Sequence, residues 1–137
     1  MTENTTQAAE CLSHLTAELG TLLPLAAKAV GYDINNRMND DRKKISPAIF
    51  ALCVKKDGEL VNTGWNPLES NADAFRLAID LRMAIYCGGV NEASVVAYLE
   101  DGNRLQATRT YNDVKRDVAM RIAITECAIE IGRRVSA

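Results

Sequence analysis

Two short segments of this chain place apolar side chains on consecutive residues, and that arrangement limits the available folds more than any other feature. Residues 47–55 hold Ile49, Phe50, Leu52, Cys53 and Val54, and residues 94–99 hold Val95, Val96, Ala97, Tyr98 and Leu99. Successive side chains of a strand point to opposite faces, so each segment is greasy on both. Both faces then need cover. Interior positions are accordingly expected to be hydrocarbon, with no buried cluster of ionisable groups.

Turn and cap signals place the remaining elements around these strands. Cys11, Leu12, Leu15 and Leu19 recur at helical spacing over 5–19, with Gly20 as a stop. A second helix is predicted over 22–30, with Pro24 in its first turn and Gly31 as its left-handed cap. The polar run 32–46 reads as a loop. Asp57-Gly58 and Asp101-Gly102 each close a hairpin, returning the chain as strands over 59–63 and 104–110. Ser70 caps a helix predicted to reach about Tyr86, with Asp73 reaching back in capping-box fashion, and Cys87-Gly88-Gly89 ends it. Asn112 opens the last helix, over 113–134, whose inward stripe is Val114, Val118, Ile122, Thr125 and Ile129.

The two halves echo one another. Each has an Asp-Gly hairpin leading into a helix, and Ala74-Phe75-Arg76-Leu77-Ala78-Ile79 reads much like Ala119-Met120-Arg121-Ile122-Ala123-Ile124. Alanine-rich amphipathic helices also converge through propensity alone. The expected fold is α+β: one domain over 1–137, with a helical pair over 1–31 and ββα units over 47–86 and 94–134. The hairpins would form an antiparallel four-stranded sheet with helices on both faces, an α/β/α sandwich. A two-layer fold, or a homodimer that buries one sheet face, is the rival.

Composition narrows the function. Over 137 residues, 47% hydrophobic and 25% charged side chains suit a globular domain, and 16 basic against 18 acidic groups leave a formal charge of −2. Nucleic acid and anionic lipid are therefore not expected partners. The longest apolar stretch, 47–54, is far too short to span a bilayer, and the first residues lack the pattern of an export signal. A cytoplasmic location is expected.

Catalytic and metal signatures are missing. Cys11, Cys53, Cys87 and Cys127 form no C-x-x-C pair, and each sits in or beside an apolar run, so they read as reduced core residues. His14, the single histidine, lies on a predicted helix without a serine or cysteine motif beside it. Asp73 and Asp80 share a helix face, but a cap and a surface charge explain them as well as paired acid chemistry does. No phosphate-binding loop, dinucleotide fingerprint or metalloprotease motif occurs, and no cofactor or metal is expected.

Trp65-Asn66-Pro67-Leu68 is the most distinctive tetrapeptide and holds the single tryptophan. An indole and an amide at a strand-to-helix connection can stack on and hydrogen-bond a ligand or partner. They equally serve to cover a sheet edge and build a turn. Asn36, Arg37 and Lys43, in the polar run, are further binding candidates, although Asp40-Asp41 offsets much of the charge of Arg42-Lys43-Lys44. Arg133-Arg134 suits a helix C-terminus.

Leu25-Ala26-Ala27-Lys28-Ala29-Val30-Gly31-Tyr32, Trp65-Asn66-Pro67-Leu68, Asp73-Ala74 with Arg76-Leu77-Ala78, and Arg121 with Ala123-Ile124, Ala128 and Glu130-Ile131-Gly132 together resemble a known family. The chain is similar to small bacteriophage and prophage proteins of the phage α/β/α (ABA) sandwich domain family. It departs from that group's acidic run after Trp-Asn-Pro, with Glu69-Ser70-Asn71 instead. The resemblance implies a phage setting and the sandwich fold, and transfers no activity. Two functions follow as expectations. The first is a non-enzymatic accessory protein that binds a host protein in the host cytoplasm, as an anti-defence inhibitor would, using Trp65, Asn66 and the loop around Asn36, Arg37 and Lys43. The alternative is a nucleotide-like small-ligand binder or sponge near Trp65, with Arg76, Arg104 or Arg109 as anion contacts.

Overall fold

Asp57 and Gly58 both adopt positive φ, 52° and 82°, the backbone a two-residue hairpin turn requires. They join β2 (Leu52–Lys56) to β3 (Glu59–Trp65), with Lys56 directly opposite Glu59. The second hairpin, between β5 (Glu92–Tyr98) and β6 (Arg104–Thr110), uses a longer turn. Gly102 donates its N–H to the Leu99 carbonyl at 3.0 Å and takes φ 88°, while the Leu99 N–H returns to the Asn103 carbonyl at 2.7 Å. A computed structural model of the chain describes residues 16–34, 51–87, 91–110 and 115–136. Within them lie also α1 (Thr16–Thr21), α2 (Leu23–Ala29), β1 (Asp33–Ile34), α3 (Asn71–Asp80), β4 (Ala84–Tyr86) and α4 (Arg116–Ser136).

The class is α+β, as expected, but the single four-stranded sheet is not what forms. Among the described residues there are two antiparallel three-stranded sheets, ordered β1-β2-β3 and β4-β5-β6. Two short strands make the difference. β1 lies at the start of the segment read as a loop, and pairs Ile34 with Val54. β4 lies in the segment read as the end of the third helix, and pairs Ile85 with Val95. Each half is thus three strands followed by a helix rather than two, and the first unit's boundary at 86 cuts into the second sheet.

Helix α3 stops at Asp80 because Arg82 turns left-handed, at φ 56°. The Arg82 N–H reaches the Ile79 carbonyl at 3.1 Å and the Met83 N–H the Ala78 carbonyl at 2.9 Å, the paired bonds of a Schellman cap. Gly31 closes α2 in the same way, with its own N–H on Lys28 and that of Tyr32 on Ala27, both at 3.0 Å. A glycine announces such a cap in the sequence, and an arginine does not.

Helix α4 runs through the middle of the core rather than along its surface. Every residue from Ile122 to Ile129 is buried, so the predicted five-residue stripe describes only part of its contact; Val114 lies outside the described residues and Val118 is half-buried. Leu23, Val54, Leu77, Val95, Ile122 and Ile129 form the centre. Against α2 the approach is close at Gly132, where an added Cβ would overlap the Leu25 carbonyl oxygen. No helix among the described residues is long and apolar enough to cross a membrane.

Candidate functional site

The Trp65–Leu68 connection between β3 and α3 is held by a dense set of hydrogen bonds. Asn66 starts it: its Oδ1 accepts the Leu68 N–H at 3.0 Å, and its carbonyl accepts from Ser70 at 2.9 Å and Glu69 at 3.2 Å. Ser70 caps α3 as predicted, accepting the Asp73 N–H at 3.1 Å. Asp73 reaches further back than a capping box. Its Oδ2 accepts the Asn66 N–H at 2.9 Å, and its Oδ1 accepts from Asn62 Nδ2 at 3.2 Å. Arg121 of α4 closes the turn from the other side, donating Nε–H to the Leu68 carbonyl at 2.9 Å and Nη1–H to Asn71 Oδ1 at 2.6 Å and Asp117 Oδ2 at 3.2 Å.

These bonds decide the roles of Trp65 and Asn66. Trp65 is 2% exposed, edge-on to Tyr32 with ring centroids 5.7 Å apart at 84°. Asn66 is also buried. Neither is available to an outside partner, so the supported role is the structural one. Burial, then Asp80, holds the Tyr32 phenol above its usual value, with Arg76 pulling the other way, which places both α3 charges near this ring. Asp73 and Asp80 do not form an acid pair: Asp73 is spent on backbone and amide donors, and Asp80 is exposed.

The candidate arginines do not converge. β5 and β6 pair in unbroken register from Tyr98↔Arg104 to Glu92↔Thr110, so residues 104 and 109 point to opposite faces of the sheet. One small anion cannot take both. Arg104 is exposed and Arg109 half-buried, while Arg76 is exposed on α3. Asn36, Arg37, Lys43, His14 and Cys11 lie outside the described residues. Cys53 and Cys127 are buried, but Cys87 is exposed, contrary to its reading as a core residue. Burial, then the neighbouring Glu126, pushes the Cys127 thiol up to about 12, which removes it as a nucleophile. Among the described residues no group of three His, Cys, Asp or Glu side chains is placed to hold a metal ion.

Comparison with protein-family models, curated proteins and solved structures gives no match.

Two features went unread in the sequence. The first is a pair of exposed apolar side chains one turn apart on α3, Phe75 at 59% and Ile79 at 57% exposure, flanked by Arg76 and Asp80. Their i, i+4 spacing was visible, but nothing in the sequence said which face of α3 would meet α4. The second is Glu126, an acid within Ile124-Thr125-Glu126-Cys127-Ala128-Ile129 that is buried with its Oε2 unpartnered. It departs from the expected hydrocarbon interior at one position, as a single acid rather than a cluster of ionisable groups. A lone acid inside an apolar run was the available signal.

Proposed function

We propose that this chain is a non-enzymatic phage or prophage accessory protein that binds a host protein through the outer face of α3, in the manner of an anti-defence inhibitor. The exposed Phe75 and Ile79 carry this reading. Isolated exposed hydrophobes need no explanation, but two on adjacent turns of a helix, framed by Arg76 and Asp80, make an apolar centre with a charged rim. The helix presenting them is held at its start by Ser70 and its Schellman cap at its end, so little ordering is lost on docking. The resemblance to the phage sandwich family supplies the setting, and the host cytoplasm is where such a partner would be met.

The sandwich layering belongs to the same proposal. Helix α4 covers the face of β5 that carries Val95 and Ala97, yet Val96, on the other face, is only 4% exposed. Burial on both sides supports a second covering layer.

The test is affinity isolation from host lysate with the full chain, beside a Phe75→Ser/Ile79→Ser variant. We expect one protein captured in stoichiometric amount and lost by at least about tenfold in the variant, whose melting temperature stays close to wild type because both side chains are exposed. Retained capture by the variant overturns the surface. Thermal stabilisation by a nucleotide panel, without a captured protein, replaces this reading with the small-ligand one.

A further inference from the structure

Glu126 sits where an acid has least to gain from ionising. It is 8% exposed, its Oε2 has no hydrogen-bond partner, and the adjoining Thr125, wholly enclosed, also leaves its Oγ1 unpartnered. A carboxylate there would bear its desolvation almost uncompensated, so the enclosure selects the neutral acid. Burial pushes Glu126 up to about 8, with Arg109 opposing the rise, Glu130 adding to it and Arg133 opposing it again.

The sheet register determines which cation can answer that acid. Residues 105, 107 and 109 of β6 share one face, and Leu105 and Ala107 on it pack in the core with α4. Arg109 therefore faces the helix from the edge strand. The other described elements against α4 turn hydrocarbon inward: Leu19 from α1, Leu23 and Ala26 from α2, Leu77 and Ala78 from α3, Val95 and Ala97 from β5. On α4 itself, Arg133 is held by Glu130 at 3.2 Å, and Glu130 repels a second carboxylate. Among the described residues, Arg109 is the one cation from another element acting on Glu126.

We propose that Glu126 and Arg109 form a protonation-controlled latch between the central helix α4 and the edge strand β6. With the acid neutral, Arg109 remains half-exposed at the rim of the sheet. When Glu126 releases its proton to solvent, the carboxylate draws the guanidinium inward into a charge-assisted hydrogen bond, and the end of β6 around Arg109 and Thr110 moves with it. Among the described residues β6 is the last strand of its sheet, so no described strand opposes that movement. The latch is independent of what docks on α3.

Nuclear magnetic resonance on the full chain tests it. Between about pH 6 and 9.5 the Glu126 carboxyl carbon and the amides of residues 107–110 are expected to titrate together. Glu126→Gln should abolish the movement of those amides, and Arg109→Gln should raise the Glu126 midpoint by roughly one pH unit, a tenfold change in acidity. A carboxyl that titrates in the ordinary glutamate range, or β6 amides that ignore it, overturns the latch in the wild-type protein alone, whether or not the variants fold. An unchanged midpoint in Arg109→Gln overturns it as well.

Discussion

Arg121 donates its Nε–H to the carbonyl oxygen of Leu68 at 2.9 Å, joining α4 to the Trp65–Leu68 turn across 53 residues of sequence. The same guanidinium holds Asn71 and Asp117, so one side chain ties the start of α3 to the central helix. Arg121→Ala leaves the part-buried carbonyl without that donor and should cost about 2–3 kcal/mol, read by denaturant unfolding. Arg121→Lys should recover less than half, since an ammonium cannot reproduce the fork of donors. Arg76→Ala, at the echoed position of α3 where the side chain is exposed, should change stability by less than about 0.5 kcal/mol.

Gly132 lets α2 and α4 approach until the backbone of Leu25 occupies the space a Cβ would need. The obstacle is a carbonyl group, which cannot swing aside as a side-chain tip does. Gly132→Ala should therefore destabilise by about 1–3 kcal/mol, although alanine is the better helix former. A variant as stable as wild type would show that the two helices are not so closely seated.

Arg82 holds the left-handed position of a Schellman cap without being glycine. Arg82→Gly should raise stability by about 0.5–1 kcal/mol and leave the strand pairing of Ala84 with Val96 intact. A loss of stability on this substitution would mean that the arginine side chain contributes more than its backbone strain removes.

The sequence was legible where side-chain chemistry and backbone conformation agree. Asp57-Gly58, Asp101-Gly102, Gly31 and the Ser70 cap all appear where their residue types require. It is opaque where they part: Arg82 ends a helix in a conformation it disfavours, so the sequence pattern runs on as helix to Tyr86 and hides β4, and with β4 the division into two sheets. At the site, the Trp65–Leu68 turn stands out by composition, but whether an indole faces a partner or Tyr32 depends on how α2, and Tyr32 just after it, pack against β1 and β2. Glu126 is opaque for another reason: the burial of an acid follows only from the tertiary packing that encloses every residue of α4 from Ile122 to Ile129.

Stability should carry the signature of that acid as a function of pH. Glu126 has its proton in the folded chain up to about 8, whereas the ordinary glutamate value of 4.5 governs the unfolded chain. Below 4.5 both states are neutral and the group makes no difference. Between the two values the unfolded state binds fewer protons, so the free energy of unfolding falls as pH rises; above about 8 both states are ionised and the loss is complete. Partial solvent access limits the loss to roughly 1–3 kcal/mol. Glu126→Gln, which has no proton to lose, should match wild type near pH 4 and exceed it by about that margin near pH 9, in parallel urea titrations. If wild type and variant instead keep a constant difference across the range, Glu126 titrates as an ordinary surface acid and its burial has no energetic consequence.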